Sequence, residues 1–143
     1  MLGRVDEPAR RPWGVTGICI FFAIGALICF TTLVALLFPG SLLEAMWRTK
    51  PEARAEFMTM GRWALVLMTA VGTALAAAAS GLWRGRRWGQ RLGIGVLVVN
   101  AASDAVNAVW RQPSAAVGVV IAGLLVWYLA RNRAVRAFVS ARR

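Results

Sequence analysis

The chain has 143 residues, of which 59% are hydrophobic and only 16% charged, with a net charge of +11. A soluble domain carries about 25% charged residues, and a basic nucleic-acid binder spreads its charge over one continuous face. Here sixteen of the seventeen basic residues are arginines, gathered in short clusters between long uncharged stretches, a distribution that excludes nucleic acid as the partner and points to lipid headgroups. There is no histidine, which removes imidazole catalysis, histidine-ligated haem and His-containing zinc sites.

Residues 1–12 (MLGRVDEPARRP) are polar and proline-bearing and read as a disordered cytoplasmic arm. The first apolar run, 15–38, holds no charge, and its 24 residues rise about 36 Å as a helix, more than the roughly 30 Å of a bilayer core. It is too long for a signal-peptide core, so a retained span is expected. Cys19 and Cys29 both lie in it, about 15 Å apart along a helix, beyond disulfide reach. No CxxC pair is present, and both read as small buried hydrophobes.

Residues 39–60 are the longest connection. Ser41 and Glu44 match a capping box, and a helix there would place Leu42, Leu43, Met46 and Trp47 on one face, lying on the membrane. Pro51 and Glu52 suit the first turn of a further helical piece. The second span, 63–83, repeats small residues at every fourth position, Thr69, Thr73, Ala77 and Gly81, a pattern that lets helices meet backbone to backbone in lipid. A basic turn, 84–91 (RGRRWGQR), leads to a third span over 92–110. A short connection and a fourth span over 114–130 follow, and the tail 132–143 groups Ala134, Val135, Phe138 and Val139 among arginines. The expected fold is therefore all-α and integral to a membrane: four transmembrane helices in an up-down bundle forming one domain over 13–131, with a short interfacial helix in the first loop and a basic tail.

Orientation follows from counting Lys and Arg on each side. The arm holds 3, the second turn 4 and the tail with Arg131 5, giving 12, against 4 in the first loop with Arg62 and 1 in the third, giving 5. Both termini are thus expected in the cytoplasm. Trp13, Trp83, Trp88 and Trp127 then mark the inner interface, and Trp47, Trp63 and Trp110 the outer one, all as anchors at span ends. The arginine-for-lysine bias and the wealth of Ala and Gly fit a bacterial inner membrane.

Asp104 is the only acidic residue inside a span. Such a residue costs about 2.5–3.5 kcal/mol to insert and is a functional candidate by default. Asn100, Asp104, Asn107 and Arg111 recur at spacings of 4, 3 and 4, which puts them on one helix face with Gly93. Thr31, Thr32 and Thr69 fall at comparable depth, so a polar pocket of these seven residues is expected. It would serve as interhelical hydrogen-bond glue or as a site for a proton or cation. No catalytic residue, metal site or cofactor is expected. The expected role is a small accessory subunit docking by small-residue helix faces on another membrane protein or on itself, with acidic headgroups as lipid partners. An oligomeric proton- or cation-coupled transporter using Asp104 is the alternative. A membrane enzyme acting on lipid or quinone is the third reading, and the weakest.

Overall fold

The computed structural model describes residues 12–49, 51–110 and 116–140, without the side chains of 43, 44 and 46. All regular structure among them is helical: α1 Trp13–Leu37, a 3-10 helix Leu42–Arg48, α2 Pro51–Met60, α3 Arg62–Trp83, α4 Arg87–Trp110, α5 Ala116–Arg131 and α6 Arg133–Ser140. Three of these, α1, α3 and α4, are long and apolar enough to cross a membrane, and a fourth candidate arises if α5 and α6, bent by 57° at their junction, count together. That is the layout of a multi-pass membrane protein. The expected arm, the Arg111 connection and the last residues of the tail lie outside the described residues.

The chain divides into two compact units, Phe21–Ala76 and the combination of Met1–Ile20 with Ala77–Arg143. In the first, α1 and α3 run antiparallel. Gly25 admits the Leu75 side chain, and Gly72 admits Cys29 and the Phe30 ring, with 3.1–3.3 Å to where a Cβ would stand. The buried residues of α3 here are Ala64 and Gly72, whereas Thr69 and Thr73 are exposed. The small-residue column read from the sequence is therefore not the face that packs in this unit. Packing selects Gly72 instead, because only glycine lets the neighbouring ring approach the backbone.

The 3-10 helix corrects the expected face in the first loop. Five residues set positions 42 and 47 about 120° apart in a 3-10 helix and about 140° apart in an α-helix, so the two do not share a face, and Leu42 is 97% exposed while Trp47 is 6% exposed. Trp47 meets Phe57 of α2 edge to face, with centroids 5.8 Å apart. Ser41 does not act as a cap: its Oγ is buried with no hydrogen-bond partner among the described residues. The Glu44 carboxylate and the Leu43 and Met46 side chains lie outside the described residues. Pro51 opens α2 with Glu52 in its first turn, as the sequence implies. Gly61, at φ +56°, closes α2 by donating to the carbonyls of Phe57 and Met58, and its own carbonyl accepts from Ala64 to start α3.

In the other unit the basic turn is tighter than expected, and α4 begins at Arg87 rather than at 92. Gly85 adopts φ +68°. Its N–H bonds Leu82 O at 3.0 Å while Arg86 N–H bonds Gly81 O at 2.9 Å, the paired bonds of a Schellman cap. The reversal brings Gly81 against Gly89: a Cβ on Gly81 would stand 2.7 Å from the Gly89 Cα. The partner of the glycine at 81 is thus inside the chain. α4 packs along α5 in antiparallel fashion, and the buried residues are Gly89, Gly93 and Leu97 on α4 and Ala122 and Leu129 on α5.

Candidate functional site

Asp104, about three turns beyond Gly93 and two beyond Leu97 on α4, faces α5. Asp104 is half-buried, and Asn100 Nδ2 donates to its Oδ2 at 3.1 Å. Across the interface stands Gly118 of α5, where a Cβ would collide with the same carboxylate oxygen. The carboxylate occupies the notch that a missing side chain leaves. This pairing was open to sequence reasoning: in an antiparallel hairpin turning near 111, partners have numbers that sum to about 222, and 104 and 118 do.

The other expected members fall out as follows. Asn107, three residues on, is exposed. Arg111 lies outside the described residues. Thr31, Thr32 and Thr69 belong to the other unit. Thr31 Oγ1 donates to Leu27 O and Ile28 O, both at 2.9 Å, and Thr69 Oγ1 to Leu65 O at 2.8 Å. Their hydroxyl protons are used by the preceding turn of their own helices, and Thr32 is buried. Of the expected constellation, the structure joins Asn100 and Asp104 and adds Gly118.

A second polar cluster, which the sequence reading missed, ties off the end of α5. Gln90 Nε2 donates to Leu129 O at 2.6 Å, and Arg136 donates through Nε and an Nη to Ala130 O at 3.1 and 3.0 Å. These bonds satisfy carbonyls that every helix leaves free at its C-terminus. The chain breaks at Asn132, whose Oδ1 accepts from Ala134 N at 2.9 Å and so caps α6. The helix α6 then turns back on α4 and α5 and buries Val135, Phe138 and Val139. Ala134, expected on that face, is exposed. The Asn at 132, just before an amphipathic stretch, was the signal for this break.

The tryptophans sort by exposure. Trp13, Trp63, Trp83, Trp88, Trp110 and Trp127 are exposed at or near helix ends, and Trp47 is buried. Gly14, beside Trp13, receives the Tyr128 side chain, so the start of α1, the α3–α4 turn and the end of α5 share one end of their unit. Among the described residues no cluster of three His, Cys, Asp or Glu is placed to hold a metal, and neither Cys19 nor Cys29 is in a disulfide. No protein-family model, curated protein or solved structure matches the chain.

Proposed function

We propose that the chain is a four-pass protein of a bacterial inner membrane, with both termini cytoplasmic, that serves as an accessory subunit docked on a larger membrane assembly. The observation that carries the docking role is the outward face of α3. Thr69, Ala70, Thr73 and Ala76 are all exposed, and Thr69 bonds its own helix. What remains is a smooth surface of small side chains that offers lipid tails little and a second helix close backbone approach.

The four-pass reading draws support from α5, which runs back along α4 from Gly118 beside Asp104 to Leu129 beside Gln90. Its 16 residues rise about 24 Å, against the roughly 30 Å of a bilayer core. The arginines in the α3–α4 turn and after α5 support a cytoplasmic position for that end. Large apolar side chains such as Ile24, Leu27, Ile28, Val99 and Leu124 are exposed along the long helices, as lipid contact requires.

Purification of the tagged chain in mild detergent with mass measurement tests the docking role. Foreign membrane subunits should copurify in stoichiometric amount and be lost on Thr73→Leu, which roughens the exposed face without touching a buried contact. A monodisperse assembly of this chain alone would sink the accessory reading.

A further inference from the structure

The first turns of α4 and the body of α6 wall an open cleft of about 360 Å³, lined by Arg87, Gln90, Arg91, Arg136 and Ser140 among others. Three guanidinium groups border one hollow, and none of the described lining residues is acidic. The acidic residue described on α4, Asp104, lies seventeen positions beyond Arg87, about 25 Å of helix rise away. Like charges gathered in this way repel each other unless an anion joins them. The placement is also unfavourable for the helix itself: Arg87 opens α4 and no acidic residue stands in its first turn, although a helix N-terminus favours negative charge.

The walls are held before any ligand arrives. Arg136 is fixed by its two bonds to Ala130 O, and Gln90 by its bond to Leu129 O. Arg87 and Arg91 are exposed and one turn apart, so both reach over the same hollow. Trp83, Trp88 and Trp127, exposed at this end of the unit, are side chains that settle at headgroup depth.

We propose that this cleft binds a phosphate group through Arg87, Arg91 and Arg136, presented by an acidic phospholipid headgroup or free in solution. The planar forks of Arg87 and Arg91 each match two phosphate oxygens at once. Arg136, whose Nε and one Nη hold Ala130 O, adds its charge and its second Nη, and basic pockets between helices at the membrane surface are suited to anionic headgroups. The inference stands on the membrane location of the chain and is independent of the accessory role.

The test reconstitutes the full chain in phosphatidylcholine vesicles containing a minority of phosphatidylglycerol, extracts it in mild detergent and reads bound lipid by native mass spectrometry. Wild type should retain phosphatidylglycerol beyond its share of the vesicle. Arg87→Gln combined with Arg91→Gln should cut that retention about tenfold or more, and Arg91→Lys by less, since it keeps the charge and loses the fork. Arg133→Gln, on α6 but outside the cleft lining, should leave retention unchanged. Titration of inorganic phosphate onto the delipidated chain separates the sources. Displacement of phosphatidylglycerol and a raised unfolding temperature, both lost in the double variant, assign the cleft to free phosphate as well. Lipid retention without any phosphate response assigns it to the headgroup. Retention that is equal for the two lipids with no phosphate response, or unchanged in the double variant, overturns the proposal.

Discussion

Asp104 and Gly118 illustrate how one atom's absence sets a polar group's place. A carboxylate facing a neighbouring helix needs room and a donor, and here Gly118 supplies the room and Asn100 the donor. An alanine at 118 would press its methyl on the carboxylate and move it off Asn100. Gly118→Ala should therefore destabilise the wild-type chain by about 1–3 kcal/mol, the range for overpacking. On an Asp104→Ala background the same substitution should cost much less, because nothing then fills the notch. A double-mutant cycle on thermal unfolding in detergent measures the difference. Costs that simply add would separate the two residues and leave the carboxylate without its seat.

At the scale of elements, the α3–α4 hairpin is fixed by two glycines in contact and a third in the left-handed region. Gly89 has no room for a Cβ, which would lie 2.6 Å from the Leu82 backbone nitrogen, and backbone yields less readily than a side chain. Gly95, on the same helix, has open space around its Cα. Gly89→Ala should lower the unfolding temperature measurably, at about 1–3 kcal/mol or more. Gly95→Ala should be neutral or stabilising by up to about 1 kcal/mol through helix propensity. Equal responses at the two sites would mean that the helices do not touch at Gly81 and Gly89.

These elements also mark what the sequence could reveal. Helix positions follow from long uncharged runs, since within one segment only a helix satisfies its own backbone in lipid, and α1 and α3 lie within a residue or two of the expected spans. The packed faces were less legible. Hydropathy does not separate a lipid-facing side chain from one that meets another helix, so the column through Thr69 and Thr73 left open whether its partner lay inside the chain or outside it, and both residues are exposed. The first loop was misjudged for a different reason. Positions five apart stand about 140° apart around an α-helix and about 120° around a 3-10 helix, so Leu42 and Trp47 share a face in neither. At the candidate site the Asn100–Asp104 spacing was visible directly. Gly118 needed the hairpin register, and the Gln90 and Arg136 bonds to the end of α5 needed the bend at Asn132.

For the molecule as a whole, the account rests on four crossings with the arginine-rich end inside. Single cysteines on a Cys19- and Cys29-free background measure this directly, using an impermeant thiol reagent added to intact cells. Thr49, Arg86 and Arg133 are all exposed in the folded chain, so burial does not mask the readout. The account predicts that Thr49→Cys is labelled from outside, while Arg86→Cys and Arg133→Cys are labelled only after the membrane is permeabilised. Labelling of Arg86→Cys from outside with protection of Thr49→Cys would invert the topology, and labelling of Arg133→Cys from outside would remove the fourth crossing.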